Sequence, residues 1–200
     1  QLRRASGHFP GQLLALDPHR QISYSKRDMV ERRPAANQPA TKQAQSFFLL
    51  DAKSCQPVCL THASSAQTIP RATGQLLKMA QQILHGSAQP SPLIVADVEH
   101  FSTEMLDSVR QNTPFDLLVP LRHTQHLQAH CRKIPPEHFT RPWAGFATAI
   151  ESFRPVGTTL SEPCYRYIQR TGERPQDYHF KAFACTSQRP EVATLTDDFP

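Results

Sequence analysis

Two hundred residues with 38% apolar side chains suffice for one sizeable core, alone or with an inserted subdomain. A balance of 22 Lys and Arg against 17 Asp and Glu leaves a net charge of +5, which suits a polyanionic partner without requiring one. No apolar run approaches the ~20 residues that cross a bilayer and no secretory signal pattern opens the chain, so the sequence reads as cytoplasmic, with no membrane partner.

Eighteen prolines speak for many turns and against a plain helical bundle. The five cysteines, Cys55, Cys59, Cys131, Cys164 and Cys185, are odd in number and irregularly spaced, and read as reduced thiols. In chain order, Gln12 to Leu16 predicts a strand that ends at Asp17. Asp17-Pro18-His19-Arg20 then reads as a hairpin connection to a second strand in QISYSK. Lys26 to Gln43 is polar, basic and proline-broken, a predicted loop. SFFLLDA from Ser46 is a third strand, which PVCLTHA from Pro57 continues or pairs with.

Leu76, Leu77, Ala80, Ile83 and Leu84 fall on one face of a helix predicted over Thr68 to Leu84. Thr68 suits its cap, Pro70 its first turn and Gly86 its stop. SPLIVAD is a short strand buried on both faces. Ser102 caps the next helix, Glu104 complements its dipole, and Met105, Leu106 and Val109 form its buried stripe. FDLLVPL from Phe115 is another buried strand. The order strand, strand, strand, helix, strand, helix, strand implies a mixed sheet with helices on its faces.

After Arg122 the texture changes. HTQHLQAHCRK is polar and helical, and PPEHFTRPW is rich in proline. GFATAIESF, YRYIQRT and YHFKAFACT then alternate as short antiparallel strands, with Trp143 expected in their core. The division is thus 1–122, 123–142 as a helical linker, and 143–200 as a β-rich insertion.

Two strands run into carboxylates, at Asp17 and Asp97. Carboxyl ends of parallel strands are where ligand sites form in open α/β sheets. Neighbouring carboxylates there would repel unless a cation neutralises them, and hard divalent ions prefer such oxygen ligands. The same residues also suit turn and cap positions.

LLALDPHRQISYSK, LIVADVEHF and the order of elements between them resemble the DDE transposases of bacterial insertion sequences, which carry an RNase H-like catalytic core. Asp17-Pro18-His19 is similar to the phrase around that family's first acid, with proline where glycine is more usual. Asp97, with Phe101 after it, matches the acid and aromatic of the second phrase but lacks its arginine and glycine. The resemblance implies an α/β, RNase H-like mixed sheet flanked by helices, with a β-rich insertion before a third acid. It implies Asp17 and Asp97 as catalytic and metal-binding residues, two Mg2+ (or Mn2+) ions, and strand cleavage and transfer in DNA transposition of a mobile element. Transposon ends and target DNA are the implied partners, and a homodimer on DNA the implied assembly. Glu137, Glu151, Glu162, Glu173 and Glu191 lack the neighbours of the family's third acid. That acid is expected beyond Pro200, so the chain is expected to be incomplete at both ends and inert alone.

Lys26, Arg27, Arg32 and Arg33, with Lys42 beyond the prolines, form a basic segment that would contact DNA phosphates or else be a solvated loop. Arg166 and Arg170 (with Arg174) interleave with Tyr165 and Tyr167 and would line the same groove. His123, His126, His130 and Cys131, with Cys55 and Cys59, offer zinc-ligand chemistry, against the plainer reading of surface histidines and buried thiols. The rival to an enzyme is a non-catalytic α/β nucleic-acid-binding module whose aspartates are only turn residues.

Overall fold

The computed structural model describes residues 11–29, 31–33, 37–64, 68–84, 91–189 and 192. Strands β1 (Leu13–Ile22), β2 (Glu31–Arg32), β3 (Thr41–Asp51) and β4 (Gln56–Ser64) precede helix α1 (Ile69–Leu84). Strand β5 (Leu93–Ala96), helix α2 (Thr103–Asn112), strand β6 (Asp116–Pro120) and helix α3 (Gln125–Arg132) follow. Four more strands close the series: β7 (Thr140–Trp143), β8 (Phe146–Phe153), β9 (Cys164–Thr171) and β10 (His179–Cys185).

These ten strands form one sheet in the order β2-β3-β1-β5-β6-β10-β9-β8-β7, with β4 also on β3. β3 is antiparallel to both β1 and β4, whereas β5 is parallel to β1 and β6 parallel to β5. The run β4-β3-β1-β5-β6, entered by a meander and finished by a helical crossover, is an RNase H-like mixed sheet. From β6 the sheet continues antiparallel through β10, β9, β8 and β7, so the β-rich stretch extends the same sheet.

The expected hairpin at Asp17 to Arg20 is absent, because β1 passes straight through it as one ten-residue strand. Its register with β3 is unbroken from Leu14↔Asp51 to Ile22↔Gln43. The proline is tolerated because β5 ends at Ala96, its last pair being Leu16↔Ala96. From Asp17 onward β1 is an edge on that side, and an edge strand can lack an N–H. The loop expected to end at Gln43 ends earlier, since β3 begins at Thr41 and β2 pairs with its first two residues.

Core position follows the two periodicities. Leu14 and Leu16 of β1, Phe47 and Leu49 of β3 and Ile94 of β5 join Leu76, Leu77 and Ala80 of α1 and Met105, Leu106 and Val109 of α2 in one cluster. Ser102 caps α2, its hydroxyl accepting from the Met105 N–H at 3.1 Å, and Glu104 lies in the first turn. The Thr68 carbonyl accepts from the Ala72 N–H at 3.1 Å at the start of α1, while Gly86 lies outside the described residues. On the opposite sheet face, Leu93, Leu118, Tyr167, Phe183 and Cys185 pack with Val192. A third cluster seats Leu127 and Cys131 of α3 on Ala149, Ile168, Phe180 and Ala182.

Trp143 corrects the expectation of a core tryptophan. It is 53% exposed and stacks on Phe146 with centroids 4.5 Å apart. Strand β7 is the sheet edge, every residue of it exposed, so the apolar interior of this region comes from β8, β9 and β10.

The connection from β8 to β9 is tied to α2 through Asp107. Its carboxylate accepts from Thr158 Oγ1 (2.6 Å), Thr159 N (2.9 Å) and Thr159 Oγ1 (3.1 Å). Burial pushes the Asp107 pKa up, but these hydrogen bonds and the nearby Arg110 outweigh it, so the net shift is below the ordinary carboxylate value. A depressed folded-state pKa adds stability above the unfolded value, and that stability is lost as pH falls through the folded one. Asp107→Asn is therefore expected to cost about 1–3 kcal/mol at pH 7. The gap to the native chain should narrow below pH ~4. Urea midpoints measured down the pH scale test this, and a gap independent of pH would contradict it.

Candidate active site

The parallel pairing of β1 with β5 decides where the two aspartates stand. The register ends at Leu16↔Ala96, and the next residue on each chain is the acid, Asp17 and Asp97. Alternation puts Asp17 on the face of Leu13 and Ala15, and Asp97 on that of Leu93 and Val95. Leu13, Leu93 and Val95 pack in the cluster away from α1 and α2, so both acids belong to the face those helices leave open. Both residues are exposed.

Asp97 also ends its strand locally. Its Oδ1 accepts from the Val98 N–H at 2.5 Å and caps the single 3-10 turn Val98–His100. This turn carries two features with no signal in the sequence. Glu99 forms a two-point ion pair with Arg20 of β1, at 2.7 Å to Nη1 and 2.5 Å to Nη2, across 79 residues of chain. His100 is 1% exposed, meets the Phe47 ring edge-on at 6.4 Å, and has no hydrogen-bond partner for either ring nitrogen among the described residues. Burial lowers the His100 pKa, against the pull of the Asp97 backbone and the carboxylates of Asp97, Glu99 and Asp17. The His100 imidazole thus underlies the turn within the electrostatic reach of both aspartates.

The basic residues divide into two groups. Lys26, Arg27 and Arg33 are exposed in the segment between β1 and β3, with the Arg27 carbonyl accepting from Lys42 Nζ at 2.9 Å. Arg32 lies in β2, and its side chain is not among those described. Arg166 and Arg170 are instead packed on the helix side of β9. Arg166 is paired with Glu151 and lies over the Phe153 ring, while Arg170 is 4.4 Å from the ring centroids of both Phe139 and Tyr178.

The zinc candidates do not converge. His130 is turned to Glu151 at 2.7 Å and Cys131 is buried in the third cluster, while His123 and His126 are exposed. Cys55 is exposed, with a φ of 55°, and Cys59 bonds toward the Leu76 carbonyl. Among the described residues no three His, Cys, Asp or Glu side chains gather to hold a metal ion. No helix among them is long and apolar enough to cross a membrane.

No family model matches the sequence, and no curated protein matches it. Among solved structures, a piggyBac transposase synaptic complex with hairpin DNA aligns at a TM-score of 0.49 and 11% identity, over 90% of this chain and 34% of that one. The Mos1 mariner paired end complex with Mn aligns at 0.34 and 15%, over 66% and 44%. Endonuclease V of Ciona intestinalis, bound to a DNA 24mer, aligns at 0.32 and 10%, over 92% and 75%. This chain therefore spans about a third of the piggyBac transposase chain and under half of the Mos1 chain. All three scores lie below 0.5 and carry no weight for its chemistry. Its RNase H-like architecture rests on its own strand order.

Proposed function

We propose that the chain is part of the catalytic core of a DDE-type transposase, of the kind found in bacterial insertion sequences, acting on DNA in phosphoryl transfer. The observation that supports this reading most is the β1–β5 register, in which Asp17 and Asp97 follow the last paired residues of two adjacent parallel strands. Neither carboxylate is ion-paired to a basic side chain among the described residues, and oxygen donors of this kind suit Mg2+ or Mn2+. Such ions are commonly held by one or two carboxylates, with water and substrate phosphate completing the shell. A bound divalent ion supplies Lewis-acid stabilisation of phosphoryl charge.

The side chains have separate parts in this reading. Asp17 and Asp97 would hold such an ion from two neighbouring strands. Arg20 holds the Glu99 carboxylate in an ion pair, and the Lys26, Arg27 and Arg33 segment would lie along DNA phosphates. A third carboxylate and a second copy of the chain on DNA complete the proposed enzyme. A second reading, a nucleic-acid-binding module without catalysis, is favoured by the Asp97–Val98 hydrogen bond, which makes Asp97 a capping residue in its own right.

Mn2+ titration, followed by paramagnetic line broadening in the presence of a short DNA duplex, separates the two. The catalytic reading expects a saturable site that the Asp17→Asn, Asp97→Asn double variant loses. Equal broadening in both proteins, or none in either, would leave the capping role alone.

A further inference from the structure

A cavity of about 500 Å3 lies on the helix side of the sheet, between the chain entering α2 and helix α3. Asp17 and Asp97 alternate onto the other side, so this cavity is separate from the acid pair and makes no use of a metal. Its volume falls in the range of small-molecule sites, ~300–1,000 Å3.

Its lining has two characters. Phe101, Leu121, Leu127 and Phe153 give apolar walls, Arg122, Arg166 and Glu151 give charge, and His126 and His130 add polar edges. The charges are unequal. Glu151 is the single carboxylate, and it is already engaged by Arg166 and by His130. Arg122, two residues past β6, has no hydrogen bond or ion pair among the described residues. Arg166 keeps its Nη1 on Glu151 and leaves its Nη2 without a partner among the described residues. Two permanent cations thus border an apolar slot, whose Phe153 ring carries the Arg166 guanidinium at 4.6 Å.

We propose that this cavity binds a nucleoside monophosphate, its phosphate taken by Arg122 and Arg166 and its base by the walls of Phe101, Leu121 and Phe153. Arg122 suits this role because its free planar fork can meet two phosphate oxygens at once, with the Arg166 Nη2 beside it as a single further donor. A flat aromatic base covers apolar wall that a bare phosphate leaves wet. A free mononucleotide and the phosphorylated end of a nucleic-acid strand present the same chemistry.

Calorimetric titration of the chain in EDTA tests the proposal, using a nucleoside 5′-monophosphate, the matching nucleoside, inorganic phosphate and a 5′-phosphorylated tetranucleotide. The monophosphate is expected to bind at least tenfold more tightly than either of its halves. Arg122→Gln should weaken it at least tenfold, and this exposed, unpartnered residue can be changed without disturbing the core. Binding by the tetranucleotide in place of the free mononucleotide, with the same dependence on Arg122, supports the site and assigns it to a strand end. Phosphate binding as tightly as the monophosphate, indifference to Arg122→Gln, or no saturable binding of any probe would each overturn it. Binding that persists in Asp97→Asn keeps this result independent of the acid pair.

Discussion

Phe47→Ala is expected to lower the stability of the chain by about 3–5 kcal/mol. Phe47 is fully buried at the centre of β3, within the cluster under α1 and α2. Removing the ring takes away its transfer free energy and leaves a cavity, because strands pinned on both sides can close in only partly. The loss should also reach the acid pair. The His100 ring rests edge-on against Phe47, and His100 ends the turn that Asp97 caps. Amide exchange at Val98 to Phe101 should therefore quicken more than exchange in α3, which sits in a different cluster. Phe47→Leu, which refills most of the space, should cost far less. Urea unfolding supplies the first measurement and hydrogen exchange the second. A destabilisation under ~1 kcal/mol would mean that the β3 core is looser than its burial implies.

Gly172→Ala should cost about 3 kcal/mol for a different reason, backbone geometry. Gly172 follows β9 with φ +114°, and its N–H donates to the Gly145 carbonyl at 2.8 Å. A Cβ added there would stand 2.4 Å from the carbonyl oxygen of Asp177, a backbone atom with no rotamer to yield. Gly157 provides the control. Its φ is +82°, but a Cβ would meet nothing within 4 Å, so alanine there should cost only the conformational part, ~1–2 kcal/mol. Urea midpoints of the two variants compare them directly, and equal losses would show that conformation alone, without the contact to Asp177, limits Gly172.

The acid pair shows what register adds to pattern. Each aspartate in isolation has the look of a turn residue, and Asp97 does cap a turn. What distinguishes them is that β5 lies beside β1 in parallel, with Ala96 paired to Leu16. Residues 80 positions apart along the chain are thereby brought onto neighbouring strands and one face. The same pairing aligns Arg20 with Glu99, two residues whose identities and spacing predict no contact.

The sequence by itself determined the elements whose driving force is local. The 3.6-residue stripe of α1, the capped stripe of α2 and the apolar runs of β5 and β6 announce themselves, because an amphipathic or doubly buried segment has few other ways to hide its surface. The alternating strands β8 to β10 are legible for the same reason. Only the tertiary structure decided the path of β1, where the proline and aspartate that favour a turn yield to a register with β3 running the length of the strand. It also put Trp143 on an edge strand, filled the helix side of β9 with Arg166 and Arg170, and opened a cavity between α3 and the chain entering α2. Each of these outcomes depends on which strand becomes whose neighbour. Pairing energy is shared between distant segments, so no local window of sequence contains it.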